Sequence, residues 1–218
     1  DQGGKREGAM NAAGLLDAPL AIVDVETTGA HPAWDRVTEI AVMEVNGGVQ
    51  GGEAVSEWST LVNPGTSIPP AIQALTGITN AMVADAPAFE DLAPELYERL
   101  EGRIFVAHNA RFDYGFLRHE FARAGLRFQA RTLCTVKLSR RLYPDHARHN
   151  LDSLIDRHHL QCSARHRALG DAQAVWQFLR VAAEERGVEA LRGVARQLAQ
   201  LPALPAHLER AAVDEIPE

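Results

Sequence analysis

The chain has 218 residues, 46% apolar and 23% charged, with a formal net charge of -7. This supplies one sizeable core and favours a single domain with terminal extensions. The acid excess excludes a histone-like protein that coats duplex through many phosphate contacts, and no run of about 18 apolar residues is present to span a membrane.

Two cysteines, Cys134 and Cys162, make neither a disulfide scaffold nor a zinc pattern and read as reduced thiols of a cytoplasmic protein. Residues 1 to 18 are rich in Gly and Ala, lack the apolar core of a secretory signal and are expected to form a flexible lead. Leu20 to Val25 is an apolar, β-branched run suited to a buried strand, with Thr27 to Asp35 as a loop broken by Gly29 and Pro32. Val37 to Val45 carries apolar groups on both faces, as an inner strand does. Asn46-Gly47-Gly48 predicts a hairpin returning as a strand over Glu53 to Val62, so that three strands form an antiparallel meander.

A short helix over Ala71 to Leu75 is ended by Gly77, and Asp85-Ala86-Pro87 opens a longer one to Leu100. Arg103 to Ala107 is a second buried strand, followed by a helix from about Tyr114 to Ala124. Strand, helix and strand in that order predict parallel pairing with the first strand. Leu126 to Thr132 is a further strand candidate before a basic helix over Leu133 to Leu142. Asn150 is the expected cap of a helix to His159. His166 to Arg186 has the clearest helical stripe, in Leu169, Ala172, Val175, Trp176, Leu179 and Ala183. The expected organisation is a domain over residues 19 to 186, a helical extension over 187 to 200, and a Leu-Pro-rich tail or interdomain linker over 201 to 218.

Asp24 and Glu26 are two residues apart, so an extended backbone points both to one side. Two like charges there are held by a hard divalent cation or face water where the strand runs out; this stretch alone leaves both open. Asp113 near a helix start is also what a helix-favouring acid would do. Asp171 follows Gly170 in the first turns of an otherwise apolar-striped helix. His166 is one of 9 histidines and weak by itself.

Together the stretches are specific. Asp24-Val25-Glu26-Thr27-Thr28-Gly29, His108-Asn109-Ala110-Arg111-Phe112-Asp113 and His166-Arg167-Ala168-Leu169-Gly170-Asp171, with Leu75-Thr76-Gly77-Ile78 between the first two, resemble in order and separation the DnaQ-like 3'-5' exonucleases. These are the DEDD superfamily, and the likeness is to its branch with a histidine in the third motif, closest to the proofreading epsilon-like members. The resemblance implies an α/β, ribonuclease H-like mixed sheet with helices on both faces, in a bacterial cytoplasmic protein. It further implies that Asp24, Glu26, Asp113 and Asp171 hold two Mg²⁺ or Mn²⁺ ions and that His166 is the general base.

Thr27, Thr28 and Gly29 would present donors to the terminal nucleotide, Leu75 would wedge against its base, and His108, Asn109 and Phe112 would line the strand's approach. Phe112, with Phe116 one turn on, also fits a core position. Arg140 and Arg141 would contact phosphates or lie on a solvated face. Cys134 stands where epsilon-like sequences carry an acid, a departure that touches none of the four carboxylates.

The expected activity is hydrolysis of single-stranded or frayed DNA 3' ends in proofreading or repair. An exoribonuclease or oligonucleotide trimmer and a non-catalytic polymerase-associated subunit are the alternatives. The tail resembles the connection to a fused GIY-YIG nuclease domain; docking on a DNA polymerase subunit is the competing reading.

Overall fold

The computed structural model describes residues 15–51 and 54–211. Five strands form one sheet: β1 (Leu20–Thr27), β2 (Val37–Val45), β3 (Ala54–Leu61), β4 (Ile104–Ala107) and β5 (Thr132–Cys134). They lie in the order β3-β2-β1-β4-β5. β1, β2 and β3 pair antiparallel, whereas β4 is parallel to β1 and β5 parallel to β4. The helices are α1 (Gly48–Gly51), α2 (Pro70–Thr76), α3 (Asn80–Val83), α4 (Phe89–Leu100), α5 (Ala110–Arg123), α6 (Thr135–Leu142), α7 (Leu151–His158), α8 (Ala168–Arg186), α9 (Val188–Leu198) and α10 (Ala206–Ala211).

The two-residue period of β1 divides the core. Leu20 and Ile22 pack with Ala172, Val175 and Leu179 of α8 and with residues of α6, α7 and α9. Ala21, Val23 and Val25 pack on the other face with Phe89 and Leu96 of α4 and Tyr114, Phe116 and Leu117 of α5. Asp24 and Glu26 continue the first series, so the sheet's parity sends both acids toward α8.

Several elements depart from the sequence expectations. The β2–β3 connection is no tight hairpin: after Asn46 the chain makes the helical turn α1, which buries Val49 in the α8-side core. The return strand starts at Ala54, and Glu53, expected within it, lies outside the described residues. α4 starts at Phe89 because Asn63 bridges Ala88 and its N–H donates to Pro87 O at 2.9 Å, which keeps residues 87–88 extended.

Residues 126–131 form no strand. Phe128 and Ala130 are buried in the α5-side core, the Ala130 N–H donates to Tyr114 Oη at 3.1 Å, and ladder pairing begins at Thr132. α5 begins at Ala110, earlier than its apolar spacing indicates. α3 has no apolar periodicity to reveal it and is held by Thr79, whose hydroxyl accepts from the Met82 N–H at 3.2 Å.

The chain ends also depart. Leu16 is buried in the α8-side core and Asp17 pairs with Arg192 at 2.8 Å, so residues 15–18 belong to the packed body; residues 1–14 lie outside the described residues. Leu191 and Ala195 of α9 enter the same core. Gln200 exchanges two backbone hydrogen bonds with Thr132 at the outer edge of β5, and Arg118 donates to Ala203 O at 2.7 Å. The Leu-Pro segment is thus laid along the fold. The acidic end, 212–218, lies outside the described residues. Among the described residues, no helix is long and apolar enough to cross a membrane. Both cysteines are free thiols.

Candidate active site

The C-terminal end of β1 meets the first turns of α8. Asp24, Glu26 and Asp171 each bring a carboxylate oxygen into a group whose members lie within 4.8 Å of one another. Asp24 Oδ2 is buried and has no hydrogen-bond partner among the described residues. An unpartnered buried carboxylate oxygen facing two more carboxylates is costly, and a hard divalent cation is the natural occupant of such an all-oxygen donor set.

The fourth acid reaches this end from the opposite helix layer. β4 stops at Ala107, Asn109 takes a left-handed conformation (φ 71, ψ 57), and α5 starts immediately, placing Asp113 in its first turn. Asp113 is buried, and its Oδ1 accepts the Val25 N–H at 3.0 Å, between the two acids of β1. This bond fixes the carboxylate against the strand.

On the far side, residues 162–167 form a loop that sharpens into α8. Gly170 is required there, because a Cβ would stand 2.5 Å from Ala164 O. His166 lies half-buried with φ 60, a strained conformation for a non-glycine residue and one that marks functional positions. Arg165 donates to Asp171 Oδ2 at 2.5 Å and to Asp152 Oδ1 at 2.6 Å. Arg167 grips the buried Glu39 with bonds of 2.7 and 3.1 Å, and the Ala168 N–H donates to the same carboxylate at 2.7 Å. Glu39 stands directly across β2 from Glu26.

These acids shift one another. Burial, then Asp113, Glu26 and Asp171, hold the Asp24 carboxyl well above the usual range. Glu26 is pushed up to about 8 by burial and by Asp171, Glu39 and Asp113. Asp113 is pushed up to about 8, mainly by burial, against the lowering effect of its Val25 hydrogen bond. Asp171 is raised by burial despite Arg165. Burial lowers His108 to about 4, so it is neutral near pH 7. Its Nδ1 meets Thr135 Oγ1 and its Nε2 meets His149 O, both at 2.8 Å.

Asp24 and Asp171 open onto a cleft of about 510 Å³ lined also by Arg165, His166, Asn109, Lys137 and Arg140. A second cleft of about 320 Å³ shares Asn109 with it and lies between the β1–β2 loop and α5.

The family model for an exonuclease, RNase_T, matches residues 21–179. The chain belongs to the RNase_T exonuclease family. The chain is 35% identical to the DNA polymerase III subunit epsilon of Aquifex aeolicus over 159 residues, covering 72% of this chain and 77% of that protein. It is 38% identical over 197 residues to a Mycobacterium tuberculosis (strain CDC 1551 / Oshkosh) protein named as a bifunctional exonuclease/endonuclease; the match covers 86% of this chain but 30% of that protein's length. Among solved structures it is similar to exonuclease X in complex with 5' overhanging duplex DNA, with a TM-score of 0.62 and 32% identity over 81% of this chain and 99% of that one. The mixed sheet with helices on both faces is the ribonuclease H-like fold.

In this chain Asp24, Glu26, Asp113, His166 and Asp171 converge at one end of the sheet, and Asn109, Arg140 and His108 line the cleft beside them. Other expected contacts fall elsewhere. Arg141 turns to α9 and donates to Gln197 Oε1 at 2.5 Å, because α6 directs it away from Arg140. The side-chain donors of Thr27 and Thr28 are spent within the loop: Thr27 Oγ1 donates to Gly29 O at 2.6 Å, and Thr28 Oγ1 donates to Asp35 at 3.2 Å. Gly29 gives space, since a Cβ there would strike the Asp35 carboxylate.

Both ring nitrogens of His108 face inward partners, so it braces the cleft wall. Phe112 serves in both expected ways, packing against the α5-side core and lining the second cleft. Leu75 is 54% exposed at the end of α2 and lines neither cleft. Cys134 lines the acid cleft.

Sequence reasoning missed Glu39, Arg165 and Arg167. An acid inside the apolar strand Val37–Val45 was the available signal for Glu39. Nothing local distinguished the two arginines.

Proposed function

We propose that this chain is a 3'-5' exonuclease that trims single-stranded or frayed DNA 3' ends to nucleoside 5'-monophosphates. The observation that carries the reading is the convergence of Asp24, Glu26 and Asp171, with Asp24 Oδ2 buried and unpartnered, onto a cleft that also receives His166. Asp24, Glu26, Asp113 and Asp171 would hold two Mg²⁺ or Mn²⁺ ions. Bound there, such cations neutralise charge on the scissile phosphate and acidify water.

His166 takes the proton of the attacking water at the cleft mouth, the general-base role that an imidazole fills most often. The water oxygen bonds to phosphorus as the P–O3' bond breaks. The shortened strand keeps a 3' hydroxyl and the terminal nucleotide leaves as its 5'-monophosphate. Lys137 and Arg140 on the rim attract backbone phosphates without reading bases. Four carboxyls held above their usual range at one end of the sheet are a poor design for a purely structural subunit, and a cation site gives them a purpose.

The long match to a protein whose name carries both exonuclease and endonuclease supports a repair context, with this exonuclease unit joined to a second nuclease. Matched DNA and RNA oligonucleotides with Mg²⁺ or Mn²⁺ test the substrate. Faster shortening of DNA is expected, and equal or faster digestion of RNA would replace this reading with an exoribonuclease.

A further inference from the structure

The β1–β2 loop, residues 28–36, leaves the acid site through Gly29 and is rigidly built. The Thr28 N–H donates to Arg36 O at 2.8 Å, and the Asp35 N–H donates to His31 O at 2.7 Å. Asp35 accepts from the His31 N–H at 2.9 Å and from Thr28 Oγ1 at 3.2 Å. Arg123 on α5 donates to Pro32 O at 2.8 Å and Ala33 O at 3.0 Å. On this strut Trp34 stands 69% exposed, its ring packed at a tilt against that of His31 with centroids 4.6 Å apart and planes 32° apart. A large aromatic held out by a fully braced loop contributes little to the core.

Resting on the exonuclease reading above, we propose that the packed His31–Trp34 pair binds an unpaired nucleobase of the DNA strand upstream of its 3'-terminal nucleotide. Continuity of the surface argues for a nucleic acid here. The acid cleft and the second cleft meet at Asn109, and the second cleft is walled by Ala30 and Pro32 of this same loop on one side and by Phe112 and the exposed Arg111 of α5 on the other. A strand whose 3' end lies among the acids can pass Asn109 into this second cleft beside the loop, with Arg111 placed for a phosphate. Every base presents a π-face, so an exposed aromatic pair binds any sequence, as a non-specific exonuclease requires. Because the loop is already ordered, little conformational freedom is lost on binding.

The test compares kcat/KM on a thymidine octanucleotide with that on a dinucleotide, which is too short to reach the loop. Trp34→Ala is expected to lower the octamer-to-dimer ratio about 5- to 100-fold, chiefly through KM, with Trp34→Phe restoring most of it and His31→Ala giving a smaller loss. A Trp34→Ala ratio equal to that of the unaltered chain overturns the proposal. Tryptophan emission gives an independent reading in chelator, without catalysis. The component removed by Trp34→Phe is quenched by the octanucleotide if bases stack there, and an unquenched component overturns the proposal. Absence of any metal-dependent nucleotide release would instead defeat the exonuclease reading, and the emission experiment would still decide the stacking.

Discussion

Glu39 anchors the helix that carries Asp171: its buried carboxylate accepts a 2.7 Å bond from Arg167 and another of 2.7 Å from the Ala168 N–H at the first turn of α8. An acid at a helix N-terminus satisfies an orphan amide and complements the helix dipole. Here that acid belongs to β2, so the bond also ties α8 to the sheet beside Glu26. Glu39→Ala leaves the amide and guanidinium without this partner. Its expected cost is about 1 to 3 kcal/mol, read as a lower Tm, with a weaker response to Mn²⁺. Glu39→Gln should fall between the two. A Tm and Mn²⁺ response unchanged in Glu39→Ala would remove Glu39 as the anchor.

Carboxyls held high by burial make the metal-free protein pH-sensitive in a definite direction. Asp113 and Glu26 are pushed up to about 8 from values near 4. Across that window the folded chain binds protons that the unfolded chain has released, so stability falls as pH rises and the loss is complete above about pH 8. Divalent cations compete with the same protons, and their affinity rises over the same range. Thermal melts in chelator and in Mn²⁺ at successive pH values should show a cation-induced rise in Tm that grows toward pH 8. A rise independent of pH would contradict the assignment.

His166 combines a strained backbone with a position at the cleft, and two substitutions separate these properties. His166→Ala should lower kcat about 10²- to 10⁴-fold with little change in KM. His166→Gly should lose as much activity yet melt higher than the alanine variant, because φ 60 suits glycine and strains alanine by about 1 kcal/mol. Equal melting of the two variants would show that the strain is not stored there.

The sequence revealed this site wherever a local pattern carried it. Period-two spacing put Asp24 and Glu26 on one face, and strand-helix-strand order placed β4 beside β1. Contacts between residues far apart in the chain had no such signal. The pairing of Arg167 with Glu39 spans 128 positions, and the two readings of Arg141, phosphate contact or solvated face, stayed open because helix spacing alone cannot say that α9 lies beside it. The β2–β3 turn was misread for a related reason, since burial of Val49 outweighed the turn preference of Asn46-Gly47-Gly48. Side-chain roles in the Thr27-Thr28-Gly29 turn required knowing that Asp35 folds back onto it.

Asp24 lies half-buried between acids on both helix layers, with its Oδ2 buried and unpartnered. The decisive measurement follows a 5'-labelled DNA oligonucleotide with Mn²⁺, identifying the released product by mass and running Asp24→Asn alongside. The expected result is stepwise shortening from the 3' end with release of nucleoside 5'-monophosphates, abolished by chelator and reduced more than about 100-fold in Asp24→Asn, while that variant melts no lower than the unaltered chain in chelator. Release of the label from the 5' end, or digestion that survives both chelator and Asp24→Asn, would contradict it.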